Sequence, residues 1–320
     1  MELEIVFLGT SGAVPTPERG LSATLLKRGG DRMLIDCGEG TQRQLMRAGV
    51  GMNQIGTVLL THLHADHYLG LPGMLKTWDL WGREAPVEIY GPKGLEAMVG
   101  LFKRIVGHTD YVVSYHEIPA DTRIPRDGYH LQSLKTEHRV SSIGYALVEA
   151  PRPGRFDAQK AIALGLKPGP DFGRLQRGET IDGVTPGMVM GAGRAGRKIV
   201  VTGDTRPCRA VAEAAHGADV LVHDSTFSTE AAERALETYH STAREAAELA
   251  KAADVRLLAL THLSFRHSPR ELLAEAREVL PNVVLPNDLD RIEVPFEERG
   301  GPVYVDRRAE RAAQRSQGMS

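Results

Sequence analysis

The sequence predicts a layered α/β fold, an αββα four-layer sandwich built from two related halves. Apolar runs of strand length alternate with segments of helical period along the chain. Two of those runs end alike: Val58-Leu59-Leu60-Thr61-His62-Leu63 is echoed by Leu258-Ala259-Leu260-Thr261-His262-Leu263. Polar residues able to bind metals stand where such runs stop, the usual place for functional groups in layered α/β folds. A chain of 320 residues, 42% of them hydrophobic, can bury one sizeable core. Residues 1–307 therefore read as one domain.

The elements follow in order. Residues 3–8, 21–27 and 31–36 have strand patterning, with Gly29-Gly30-Asp31 as a hairpin turn. A helix is expected over 42–48 after the Gly38-Glu39-Gly40 turn, and another over 71–80. Strands at 87–90 and 112–118 flank a helix at about 95–106. Leu131 to Thr136 alternates as a strand does, and Lys198 to Val201 and Leu257 to Thr261 are short apolar runs. Helices over 241–253 and 268–280 both open with capping-box spacing, Thr242 with Glu245 and Ser268 with Glu271. Met74, Trp78 and Trp81 recur at helical spacing and suit a core or a subunit interface. Residues 308–320 are charged, lack apolar periodicity and are expected to fray.

Composition excludes several classes. No run approaches the roughly 18 apolar residues of a membrane span. Met1-Glu2-Leu3-Glu4-Ile5 lacks the basic start and apolar stretch of a signal peptide. The two cysteines, Cys37 and Cys208, read as reduced residues of a cytoplasmic protein. Gly9 and Gly12 bind no nucleotide cofactor on this pattern. A net charge of −2 gives no global attraction to nucleic acid, so an enzyme acting on RNA would have to concentrate its cations locally.

Residues 62–67 read His-Leu-His-Ala-Asp-His. If the strand ends near Thr61, His62 and His64 point one way and Asp66 and His67 lie on the first turn of a helix. Imidazole suits zinc and related ions, and carboxylate is compatible with manganese as well. Two ligand pairs diverging from one loop suggest two divalent ions sharing a bridge. Further ligands are offered by His138, Asp204 and His262, each just after a strand-like segment. His108, His116, His130, His216 and His223 have no partner pattern and read as surface or structural.

The pattern H-x-H-x-D-H resembles the signature of the metallo-β-lactamase superfamily. Phe7-Leu8-Gly9-Thr10-Ser11-Gly12, Ile35-Asp36-Cys37-Gly38-Glu39-Gly40-Thr41, Thr202-Gly203-Asp204-Thr205-Arg206-Pro207, Val222-His223-Asp224-Ser225-Thr226-Phe227, His240-Ser241-Thr242 and Thr261-His262-Leu263-Ser264-Phe265-Arg266 further resemble, in order, the motifs of the ribonuclease Z family. Two positions depart from that family's pattern, Asp224 where it has Glu and His267 where it has Tyr. The resemblance implies a metallo-β-lactamase-like sandwich and an endonuclease that trims the 3′ end of precursor tRNA, with a homodimer as its assembly. It implies one metal, most commonly zinc, on His62, His64 and His138, a second on Asp66, His67 and His262, and Asp204 as the bridge. Asp66 would take the proton of the attacking water, and His240 would serve the developing charge or the leaving oxygen. A small-molecule phosphodiesterase or arylsulfatase on the same scaffold is the alternative.

Between Pro151 and Gly178 the chain carries Arg152, Arg155, Lys160, Lys167, Arg174 and Arg177 against Asp157 and Asp171, interrupted by many Gly and Pro residues. Residues 150–180 read as a protruding arm with stiff corners and at most a short helix over 156–164. It resembles the family's exosite arm, whose cations grip the tRNA body through phosphates. Arg19 and Arg266 would contact RNA phosphates beside the cut.

Overall fold

The computed structural model describes residues 1–317, and their side chains through residue 313. Six strands come first: β1 (Leu3–Gly9), β2 (Ala23–Arg28), β3 (Asp31–Ile35), β4 (Ile55–Leu59), β5 (Val87–Gly91) and β6 (Val113–Glu117). A second set follows: β7 (Arg123–Arg126), β8 (Tyr129–Lys135), β9 (Ile143–Glu149), β10 (Lys198–Val201), β11 (Val220–Asp224), β12 (Leu257–Thr261) and β13 (Val283–Val284). The chain then returns to the first sheet with β14 (Arg291–Glu293) and β15 (Val303–Val305). The sheets run β15-β14-β1-β2-β3-β4-β5-β6 and β13-β12-β11-β10-β9-β8-β7.

Alternation decides the layers. Along β4, Leu59 enters the core between the sheets, while Val58 and the next residue, Leu60, face the outer helices. A strand buried on both faces is apolar throughout, as parallel strands under helices are. The central cluster joins Ile5, Phe7 and Leu59 of one sheet to Leu131, Tyr145, Ile199 and Val222 of the other. Helices Thr41–Ala48, Gly70–Leu80 and Leu95–Val106 cover the first sheet, and Arg209–Ala215, Ala243–Ala252 and Pro269–Val279 cover the second. This is the expected αββα sandwich, with β4 and β12 as parallel strands in each half. Among the described residues, no helix is long and apolar enough to cross a membrane.

Local details separate expectation from outcome. The capping box of Thr242 and Glu245 forms, whereas Ser268 makes no side-chain cap bond and Glu271 completes no box. The tail expected to fray is helical over Arg307–Gln317. Asp306 accepts from Arg308 N and Ala309 N, and Glu310 pairs with Arg291 at 2.6 Å. Residues 318–320 lie outside the described region. Trp78 is fully buried and donates to the Met52 carbonyl, so it belongs to the core rather than to an interface.

The inserted arm is also larger than expected. It leaves β9 after Glu149 and rejoins the sheet only at Lys198. Three short helices, Ala158–Ala163, Pro170–Gln176 and Pro186–Val189, surround a small cluster of Ala161, Leu166, Leu175, Ile181, Val184 and Val189, with Phe156 and Phe172 against it. The breaker-rich segment therefore has its own apolar centre.

Candidate active site

The histidine motif lies in the turn between β4 and the short helix Ala65–Tyr68, so Asp66 and His67 do occupy a first helical turn. His138 follows β8, Asp204 follows β10, Asp224 ends β11, and His262 follows β12. These strand ends converge. His62, His64, His138 and Asp204 offer ligand atoms within 4.8 Å of one another, as do Asp66, His67 and His262. Asp204 faces both groups: Oδ2 is 3.6 Å from His62 Nε2, and Oδ1 is 3.3 Å from His67 Nε2 and 3.2 Å from His262 Nε2. A third group of four joins Asp204 to Asp224, His240 and His262.

The outward ring nitrogens are held. Thr61 Oγ1 lies 3.1 Å from His62 Nδ1, and His138 Nδ1 is 3.0 Å from the Tyr239 carbonyl. His67 Nδ1 is 2.7 Å from Asp36 Oδ2, and His262 Nδ1 is 2.9 Å from Thr226 Oγ1. Such partners fix tautomer and ring direction in metal sites. Asp36 is buried and also accepts from Thr61 N and Thr61 Oγ1, so one carboxylate braces two successive elements. Its supporting role went unread in the sequence. The signal available was an Asp at the end of an apolar strand, the pattern already used for Asp204.

Space at the site is tight. A Cβ on Gly12 would lie 2.7 Å from the His262 ring. Ala13 N donates to Asp66 Oδ2 at 3.0 Å. The first glycine-rich loop thus supports the site sterically.

Electrostatics divide the imidazoles: burial opposes the His67 cation, but Asp204 and Asp36 prevail and raise that group well above its ordinary value. Burial favours the neutral forms of His62, His64 and His138, and neutral imidazole is the ligating state. Burial opposes ionisation of Asp204 and Asp66, but the neighbouring imidazoles outweigh it and hold both carboxyls well below their ordinary range. His67 Nε2 and Asp204 Oδ1 are buried without a hydrogen-bond partner among the described residues. Orphaned buried polar atoms are costly. An ion between them would satisfy both, and histidine with carboxylate is a common donor set for divalent metals.

His240 stands apart. Its Nδ1 is 2.7 Å from Asp224 Oδ2, so the shorter Asp still reaches it. Asp224 is itself fixed by Thr205 N, Thr226 N and Thr226 Oγ1. Burial disfavours the His240 cation, but Asp224 and Asp204 prevail and raise the group to about 9. His223, expected to be structural, is buried with Nδ1 2.8 Å from the Asp224 carbonyl. His267 packs against the Phe227 ring and lies 3.3 Å from Ser228 Oγ.

The proposed RNA contacts divide. Arg19 departs from expectation: its guanidinium donates to Thr10 Oγ1, the Pro286 carbonyl and Asn287 Oδ1, binding two loops together. Arg152 is engaged by Glu298, and Arg174 by Asp171 and Glu179. Arg155, Lys160 and Lys167 are exposed and make no ion pair among the described residues. Arg266 is exposed beside Phe265.

A fold of two sheets under helices, with His and Asp side chains converging at the strand ends, defines a metal-dependent hydrolase of the beta-lactamase superfamily, and that superfamily's domain model matches residues 31–263. Ribonuclease Z of Methanosarcina acetivorans is 46% identical over 302 residues, covering 92% of this chain and 99% of the relative. Ribonuclease Z of Haloferax volcanii is 47% identical, covering 94% and 98%. The crystal structure of the short form of human tRNase Z superposes with a TM-score of 0.68 at 28% identity, covering 92% of this chain and all of that one. The chain belongs to the ribonuclease Z family.

Proposed function

We propose that the protein is a tRNA 3′-processing endonuclease that hydrolyses the phosphodiester after the discriminator nucleotide. The observation that carries this is the convergence of two ligand groups on the buried carboxylate of Asp204, in a chain of this family. His62, His64 and His138 would hold one divalent ion and Asp66, His67 and His262 a second, with Asp204 between them; zinc suits the donors best and manganese is compatible. Such ions lower the pKa of water and neutralise charge on the phosphate.

The residues themselves supply the rest. Asp66 Oδ2, braced by Ala13 N, orients the attacking water and accepts its proton. His240, whose Nδ1 is taken by Asp224, presents Nε2 to the substrate and delivers a proton to the departing 3′ oxygen. The P–O3′ bond breaks as the new P–O bond forms. The tRNA keeps a 3′-hydroxyl and the trailer carries a 5′-phosphate. Arg155, Lys160, Lys167 and Arg266 are the cations left to meet RNA phosphates.

The arm's position favours a homodimer. β9 runs from Ile143, whose N donates to the Thr61 carbonyl beside His62, to Glu149 at the arm's root. Seven residues at about 3.3 Å each separate root from site by roughly 20 Å. The arm thus springs from the end of the sheet remote from its own site and suits RNA bound to a second subunit. Leu80, Trp81, Leu101, Ile105 and Val112 are exposed apolar residues suited to the subunit contact. A reducing cytoplasm is consistent with unpaired Cys37 and Cys208.

The test compares catalytic efficiency on precursor tRNA and on a small chromogenic phosphodiester. A strong preference for precursor tRNA is expected. Efficient turnover of the small diester with no cleavage of precursor tRNA would instead select the small-molecule phosphodiesterase reading.

A further inference from the structure

The root of the arm is more heavily braced than a surface loop requires. Its two strands pair through Arg152 and Arg194, with N to O distances of 2.8 and 2.9 Å. They lie so close that a Cβ on Gly154 would meet the Gly191 carbonyl oxygen at 1.9 Å, and one on Gly196 the Glu149 oxygen at 2.4 Å. A distant segment then locks this pair. Glu298 Oε1 accepts from Arg152 Nη1 at 2.8 Å and Arg194 Nη1 at 2.9 Å, while Oε2 accepts from Arg152 Nη2 at 3.0 Å. The Phe296 ring carries the Arg152 guanidinium at 3.5 Å and the Arg197 guanidinium at 4.0 Å. Arg197 also donates to the Val294 carbonyl at 2.8 Å and is held by both oxygens of Glu149 at 2.7 Å.

We infer that the segment Phe296–Glu298 is a clamp that sets the direction of the arm, with Phe296 and Glu298 as positioning residues for the RNA body. The inference rests on reading the arm as the RNA-gripping element. Isolated surface ion pairs contribute little. Here one carboxylate bridges both strands of the root, and one ring packs against two guanidiniums, so the contacts act on a single direction of the arm. The clamp also reassigns Arg152. Its charge is neutralised by Glu298 and its plane covered by Phe296, which makes it a structural strut rather than a phosphate contact.

Glu298→Gln separates the two roles of Arg152 by sign. If Arg152 and Arg194 touched RNA, removing the opposing carboxylate would free them, and KM for precursor tRNA would fall or stay unchanged. A clamp requires the opposite. Glu298→Gln and Phe296→Ala should each raise KM for precursor tRNA about tenfold with kcat within about twofold, the pattern of lost uniform binding, and Phe296→Trp should largely restore KM. In a protein whose KM depends on the arm, an unchanged or lowered KM in Glu298→Gln overturns the clamp. A protein with residues 153–193 replaced by a short glycine linker serves as reference: if its KM is unchanged, the reading of the arm fails, independently of the clamp. The clamp is then decided by pulsed electron paramagnetic resonance between spin labels at Lys167→Cys and Arg270→Cys in a Cys208→Ser background. Phe296→Ala should broaden the distance distribution, and a distribution as narrow as that of the unsubstituted arm overturns the proposal.

Discussion

Two residues allow the site to be separated into parts. Asp204 faces both ligand groups through its two oxygens, one of them without any hydrogen-bond partner among the described residues. Asp204→Ala should therefore lower the occupancy of both metals together and abolish cleavage. Elemental analysis after dialysis checks this, and retention of two tightly held ions would remove Asp204 from the bridge. His240 makes the opposite case, since Asp224 rather than an ion takes its Nδ1. His240→Ala should keep its metals and lose roughly 10²–10⁴-fold in kcat. Loss of metal in that variant would show that His240 is a ligand. Asp204 was legible in the sequence because it stands at the end of an apolar run, a local pattern. His240 follows a polar helical segment and was legible only through the family resemblance of His240-Ser241-Thr242. Asp36 shares the strand-end pattern of Asp204 and was passed over, while Thr226 carries no local signal, because its role depends on a contact with His262 that no spacing encodes.

At the scale of elements, the root of the arm is tied to the sheets by a buried ion cluster. Glu149 accepts from Arg28 at 2.8 Å and from Arg197 at 2.7 Å, and all three side chains are nearly excluded from solvent. Burial opposes ionisation of Glu149, but Arg197 and Arg28 overcome it and hold the carboxyl below its ordinary value. A depressed folded value means that the stabilisation is present above the unfolded value, about 4.3, and is lost as pH falls through the folded one. Glu149→Gln should cost roughly 3–5 kcal/mol near neutrality, because two buried guanidiniums lose their partner. Denaturant titration should show that gap narrowing only below about pH 4. A gap of equal size at acid and neutral pH would refute the electrostatic account. The arm itself was read too short and too loose. Pro and Gly mark its turns, but Leu175, Ile181, Val184 and Val189 lack a regular period and close into a cluster only in three dimensions. The helical tail was missed for a related reason: Asp306 caps it locally, and its hold on the body comes from Arg307 N on Asp290 and the Arg291–Glu310 pair, contacts that no local period encodes.

The whole molecule keeps binding apart from chemistry. The candidate metal ligands lie at one end of the strands and the arm springs from the other. Replacing residues 153–193 by a glycine linker should leave metal content and small-diester hydrolysis intact while precursor tRNA binding collapses. The salt dependence of RNA affinity should flatten as well, since Arg155, Lys160 and Lys167 are lost with the arm. Equal loss on both substrates, at full metal loading, would make the arm structural. The sandwich was legible because its two halves repeat one strand-to-histidine pattern around β4 and β12, and burial on both faces of those strands enforces it.

The chemistry at the cut is read by mapping the ends produced from a precursor tRNA, with and without a chelator. One chelator-sensitive cut after the discriminator nucleotide is expected, with a tRNA ending in a 3′-hydroxyl and a trailer beginning with a 5′-phosphate. A cyclic phosphate on the tRNA end, a cut elsewhere, or cleavage that persists in chelator after dialysis would contradict the proposed hydrolysis.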